Sequence, residues 1–89
     1  MENIKILMID DNESLCSMVK EYFSSHANIE VALTAYNGEE GIDMIQNRKD
    51  EYDVIILDLI MPKKDGLYVL EEMQKRGIDK KVIVSTSFN

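Results

Sequence analysis

The sequence predicts an α/β fold built on a parallel sheet. Two observations carry that reading. Short β-rich apolar runs alternate with segments of helical period, in the order β-α-β-α-β-α-β. The first and third runs are also nearly continuous in apolar residues, the pattern of strands buried on both faces rather than on one. Such an order implies right-handed crossovers with helices on both sides of the sheet. At 89 residues the chain supports one small domain, and its 45% hydrophobic content suits a packed core rather than disorder.

Ile4 to Ile9 is the first strand, ended by Asp10-Asp11-Asn12. From Glu13 the period changes. Leu15, Met18, Val19, Tyr22 and Phe23 recur at helical spacing and predict an amphipathic helix to about Ser25. Ser24 to Asn28 is a polar connection. Glu30 to Tyr36 is a second strand, with Val31, Leu33 and Ala35 alternating as one face. Asn37 is a good N-cap for a helix carrying Ile42, Met44 and Ile45, with Glu39 and Glu40 favourable at its positive end. That helix ends near Lys49. Tyr52 to Leu57 is a third strand. Met61 to Asp65 is a loop broken by Pro62. A helix follows with Leu67, Val69, Leu70 and Met73 facing inward, and Gly77 stops it. Val82 to Thr86 is a fourth strand. Three helices cover four strands thinly, and the last strand is left as an open edge. The expectation is therefore a domain incomplete at its C-terminal end.

Composition removes several function classes. A net charge of −7 argues against a nucleic-acid surface within these residues, because a phosphate backbone needs a basic patch. One cysteine, Cys16, permits no internal disulfide and reads as a small apolar core residue. With no signal peptide pattern at Met1-Glu2 and no run of about 20 apolar residues, the expected setting is the cytoplasm, away from the membrane. The single histidine, His26, falls in a polar loop, and there is no His/Cys cluster for zinc.

The acidic residues are placed more tellingly. Asp10 and Asp11 close the first strand, and Asp58 closes the third. Open α/β sheets bind ligands beyond the carboxyl ends of their strands, where the strand order reverses. If the first strand lies between the second and third, all three carboxylates converge there. Such a trio repels itself, and a hard cation relieves the repulsion. Mg²⁺ suits it, taking one or two carboxylates and retaining room for phosphate oxygens. Asp58 could then attack phosphorus as a carboxylate nucleophile. Thr86, at the end of the fourth strand, would offer its hydroxyl to the phosphoryl oxygens. Against this stands the plain alternative that an acidic chain places aspartates at strand ends as turn formers.

Taken together, Ile6-Leu7-Met8-Ile9-Asp10-Asp11-Asn12, Ala35-Tyr36-Asn37-Gly38-Glu39-Glu40, Val54-Ile55-Ile56-Leu57-Asp58-Leu59-Ile60-Met61-Pro62, Asp65-Gly66-Leu67 and Val82-Ile83-Val84-Ser85-Thr86-Ser87 resemble the receiver domains of two-component response regulators. The segments stand in family order at family spacing along the whole chain. The wording around Ala35 to Glu40 and Leu59 to Leu70 is most similar to receivers of sporulation regulators. The resemblance implies a flavodoxin-like (CheY-like) doubly wound sheet of order 2-1-3-4, truncated after strand 4 and lacking helix 4, strand 5 and helix 5. It implies that Asp58 is the phosphoacceptor. Asp10, Asp11 (partly through water), Asp58 and the backbone carbonyl of Ile60 would hold Mg²⁺. Thr86 would be the switch hydroxyl and Ser87 its small neighbour. The phosphodonor would be a histidine kinase or phosphotransfer protein, and DNA would be met only through an effector domain outside these residues.

The strand-5 lysine of the family has no counterpart here, and neither Lys63-Lys64 nor Lys80-Lys81 is a convincing substitute. The chain is accordingly expected to be a phosphoacceptor and not an enzyme. Two other readings stand beside it. One is a non-phosphorylated interaction or dimerisation module that self-associates or swaps through the open strand edge. The other is an aspartate-nucleophile phosphatase, disfavoured because Ile60 stands where the second aspartate of Asp-x-Asp would be. Ile60 and Phe88, two residues beyond Asp58 and Thr86, are apolar and predict slow loss of the phosphoryl group.

Overall fold

A computed structural model describes residues 3–61 and 64–86. Pro62 and Lys63, the loop breaker and one lysine of the first pair, lie outside the described residues, as do Ser87, Phe88 and the chain end at Asn89. Four parallel strands, β1 (Ile4–Ile9), β2 (Ile29–Ala35), β3 (Val54–Asp58) and β4 (Lys81–Ser85), form one sheet in the order β2-β1-β3-β4. The crossovers carry helices α1 (Glu13–Ser24), α2 (Gly38–Asn47) and α3 (Gly66–Lys75). This is the doubly wound arrangement and strand order expected from the sequence.

Side-chain alternation along β1 divides the core in two. Leu7 and Ile9 join Ile42, Ile55, Leu57 and Val69 beneath α2 and α3. Ile6 and Met8 join Cys16 and Val31 beneath α1. One face thus has two helices and the other has one. Ile83 pairs with Ile56 and shares the α1 face, but α1 stops short of it and Ile83 is 54% exposed.

The structure corrects the sequence reading of β2. Ile6 pairs with Val31, but the next residue, Leu7, pairs with Leu33, so Ala32 is an extra residue in a β-bulge. A one-residue slip reverses every side chain beyond it. Val31 therefore packs under α1, whereas Leu33 and Ala35 pack under α2, and the three do not form one face.

Two helical stripes are corrected as well. In α1 the face against the sheet is Cys16, Val19 and Phe23, while Leu15, Met18 and Tyr22 are exposed. Both sets have helical spacing, but they lie about 100° apart, and a helix packed on a flat sheet buries only one. In α3, Val69 and Met73 are buried and Leu67 is exposed for the same reason. Tyr52 is not in β3. A short 3-10 helix, Lys49–Glu51, precedes it, and Tyr52 turns into the core with its hydroxyl donating to the Ile45 carbonyl at 2.7 Å. His26 is exposed and packs its ring on Tyr22 and Phe23.

Each α-helix starts on a side-chain cap. The Oδ1 atoms of Asn12, Asn37 and Asp65 accept from the N–H groups of Leu15, Glu40 and Tyr68 at 3.0, 2.9 and 3.1 Å. Glu40 also reaches back to accept from the Tyr36 N–H at 2.8 Å. At the far end of α3, Gly77 N–H donates to the Gln74 carbonyl and Ile78 N–H to the Met73 carbonyl. That pairing is a Schellman cap, and it requires the left-handed φ of +64° found at Gly77. Nothing lies within 4 Å of a methyl group added there. Gly77→Ala is thus expected to destabilise through backbone conformation alone, by about 1 kcal/mol. Gly77→Asn should cost less, and urea denaturation of the two variants checks the order.

Candidate functional site

β1 lies between β2 and β3, so the strand order reverses at β1/β3 and leaves a crevice at their carboxyl ends. Ile9 pairs with Leu57. The next residues, Asp10 and Asp58, therefore emerge side by side. β4 lies on the far side of β3 and ends level with it, Asp58 pairing with Ser85 and the Leu59 N–H donating to the Ser85 carbonyl at 3.0 Å. Thr86 follows at that same end and is exposed.

One carboxylate oxygen from each of Asp10, Asp11 and Asp58 lies within 4.8 Å of the others. Asp10 and Asp58 are buried, at 6% and 3% exposure, while Asp11 is open to solvent. Each buried carboxylate accepts one backbone N–H from the residue two positions on. Asn12 donates to Asp10 Oδ1 at 2.9 Å, and Ile60 donates to Asp58 Oδ1 at 3.0 Å. These bonds orient the carboxylates and leave oxygens facing one another. Burial pushes the Asp10 carboxyl above its ordinary range, and the charges of Asp58 and Asp11 add to the rise, against the lowering by the Asn12 N–H. Beneath them, the Cys16 thiol donates to the Asp10 carbonyl at 3.6 Å. Burial and the neighbouring carboxylates push that thiol up to about 11, so it stays protonated and serves as packing.

Two glycines bring backbones close around this crevice, and reading the chain for side-chain chemistry missed both. A Cβ on Gly66 would stand 2.6 Å from the Asp58 carbonyl oxygen and 2.7 Å from Leu59 Cα. A Cβ on Gly38 would stand 2.0 Å from the Lys64 carbonyl oxygen. The signal available was a glycine at the first turn of each of two helices. Of the lysines weighed above, Lys64 and Lys80 have partners of their own. Lys64 Nζ sits over the Tyr68 ring at 5.2 Å, and Lys80 Nζ donates to the Lys49 carbonyl at 2.9 Å beside the Tyr52 ring.

The profile of the response regulator receiver domain matches residues 6–89. The chain belongs to that family. It is 38% identical over 80 residues to a probable C4-dicarboxylate response regulator, DctR, from Bacillus subtilis (strain 168), covering 90% of this chain and 34% of that protein. It thus spans about a third of the curated relative it matches. Among solved structures it resembles the receiver domain of Francisella response regulator 1452, at 30% identity and a TM-score of 0.82, covering 98% of this chain and 69% of that one. It also resembles the CheX-CheY-BeF3-Mg complex from Borrelia burgdorferi, at 25% identity and a TM-score of 0.84, covering 98% of this chain and 64% of that one.

Family membership corrects one expectation. Receivers catalyse their own phosphoryl transfer, so the expectation that this chain is not an enzyme does not hold. Receivers also bind Mg²⁺, and the residues present fit it: three hard oxygen donors converge, two of them buried and each retaining a free carboxylate oxygen. No helix among the described residues is long and apolar enough to cross a membrane.

A test of this electrostatic picture follows from Asp10. Its folded form holds a proton more readily than its unfolded form. The uncharged side chain therefore favours folding, and that contribution is lost as pH rises through the raised folded value. Asp10→Asn keeps the oxygen that receives the Asn12 N–H and removes the charge. In metal-free buffer at pH about 7 the variant is expected to melt at a higher temperature than the parent. The gap should close toward pH about 4, as measured by thermal unfolding with circular dichroism.

Proposed function

We propose that the chain accepts a phosphoryl group on Asp58 from a phosphohistidine donor and so switches a transcription regulator. The observation that carries this reading is the convergence of Asp10, Asp11 and Asp58 at the strand-order reversal. An Asp58 oxygen attacks phosphorus, a P–O bond forms, and the P–N bond to the donor imidazole breaks. The imidazole nitrogen leaves with the electron pair and is protonated. Asp10, Asp11, Asp58 and the Ile60 carbonyl would hold Mg²⁺, which supplies charge neutralisation for the phosphoryl oxygens. The Ile60 N–H, already on Asp58 Oδ1, fixes the carboxylate so that its other oxygen faces the crevice. Thr86, beyond Ser85 in the strand beside β3, would donate its hydroxyl to a phosphoryl oxygen and couple acceptance to the β4 side of the fold. Ser87, outside the described residues, keeps its proposed place as the small neighbour.

The donor is proposed to be a histidine kinase or phosphotransfer protein in the cytoplasm. A sporulation regulator is the finer part of the proposal and rests on the wording of Ala35–Glu40 and Leu59–Leu70 alone. DNA binding would belong to an effector domain. The chain covers 64–69% of the two solved structures named above. A second reading, self-association through β4, has one observation in its favour: Ile83 and Val84 on that edge strand are 54% and 46% exposed. Concentration-dependent sedimentation that ignores Mg²⁺ and phosphodonor would support it.

Incubation with acetyl phosphate, with and without Mg²⁺, followed by intact mass measurement tests the main reading. The expected result is a gain of one phosphoryl group that needs Mg²⁺ and is absent in Asp58→Asn. Full phosphorylation of Asp58→Asn would refute it. The Ile60 side chain is 55% exposed beside the acceptor and cannot orient a hydrolytic water. Ile60→Glu is therefore expected to speed acyl-phosphate decay, by up to about a hundredfold. Phe88, the companion of Ile60 in this expectation, lies outside the described residues.

A further inference from the structure

We infer that Gly38, at the start of α2, is a positioning residue for the metal and acceptor site, acting through Lys64. Gly38 touches no carboxylate. Its backbone lies directly against the loop between β3 and α3. A Cβ there would meet the Lys64 carbonyl oxygen at 2.0 Å, the carbonyl carbon at 2.8 Å and Lys64 Cβ at 3.0 Å. The first two are backbone atoms, which cannot swing aside as a flexible side chain could. Lys64 has a φ of +50°, the only positive φ at a non-glycine residue among those described. A β-unbranched lysine tolerates this conformation only at a cost, so the surrounding contacts must hold it.

From Lys64 the chain passes at once into Asp65, the N-cap of α3, and Gly66, which closes on the site itself. The Gly66 N–H donates to the Leu59 carbonyl at 3.3 Å, and Gly66 lies against the Asp58 carbonyl. The residues that leave Asp58 are thus clamped from two helices, by Gly66 from α3 and by Gly38 from α2 through Lys64. Ile60, between the clamp and Asp58, gives its N–H to the acceptor carboxylate. The close approach of Lys64 to α2 is possible only because Gly38 has no side chain. The role rests on the receiver reading of the site, while the clamp itself is geometric.

Gly41 supplies a matched control on the same helix. The three atoms nearest a methyl there belong to the Ile9 side chain, the first at 2.8 Å. Calorimetric titration with Mg²⁺ alone and amide hydrogen exchange without metal are read on the whole chain, for Gly38→Ala, Gly41→Ala, Lys64→Gly and the pair Gly38→Ala/Lys64→Gly. Gly38→Ala is expected to weaken Mg²⁺ binding about tenfold and to speed exchange at Gly66 and Ile60. Gly41→Ala should lower Tm with Mg²⁺ affinity within about twofold of the parent. Glycine at position 64 frees the loop backbone, so the pair should recover most of the lost affinity. Parent-like affinity and exchange in Gly38→Ala, or equal losses in Gly41→Ala, would overturn the inference. If Gly38→Ala does not fold, the pair decides: a folded pair that binds Mg²⁺ supports the clamp, and an unfolded pair refutes it. A parent chain that binds no Mg²⁺ or takes no phosphoryl group would count against the functional reading. The metal-free exchange at Gly66 would still decide the clamp.

Discussion

Two carboxylates buried side by side at the ends of neighbouring strands repel each other, and the local structure around them is arranged to hold that repulsion in place. Asp10 and Asp58 are nearly excluded from water, and each receives a single backbone N–H. One such bond offsets only part of the desolvation of a carboxylate. The raised proton affinity of Asp10 is the visible result. A packed core resists the relaxation that would separate the charges, because β1 and β3 are hydrogen-bonded in register and flanked on both faces. The fold thus retains the repulsion, which a hard cation would relieve.

The two sheet faces contribute differently. The α2/α3 side is the heavier core, with Tyr52 pinned to Ile45 and Val69 fully enclosed. It carries the site loop, since α3 starts from that loop and α2 abuts it at Lys64. The α1 side is thinner and leaves Ile83 of β4 exposed. The heavier packing thus lies on the side of α2 and α3, and the less covered strand is the one that leads to Thr86. Under the proposed function, this division lets a charge gained at a rigid site act on an element with room to move.

Much of the scaffold was legible in the residues. The β1 run, the Asn37 cap, the Gly77 stop and the three aspartates at strand ends follow from local chemistry, and each is where the sequence placed it. The misreadings share one cause. Val31 and Leu33 have the spacing of one face, and only the bulge at Ala32, a product of pairing with β1, sends them apart. Leu15, Met18 and Tyr22 have a spacing as regular as that of Cys16, Val19 and Phe23. Periodicity identifies a helix but does not say which of two apolar stripes meets the sheet. Tyr52 has strand propensity, yet its hydroxyl found a partner in α2.

By itself the sequence determined the alternation of strands and helices, the helix caps and the positions of the carboxylates at strand ends. These depend on neighbours within a few residues, where backbone propensity and side-chain period act. Tertiary structure alone decided that Asp10 and Asp58 share a buried crevice with Asp11 above it, and that Gly38 and Gly66 bring two helices onto the loop. Those facts depend on contacts across the fold, Asp10 with Asp58 and Gly38 with Lys64, or across a loop, Gly66 with Asp58. They are decided by steric fit at distances of two to three ångströms, which no one-dimensional pattern records.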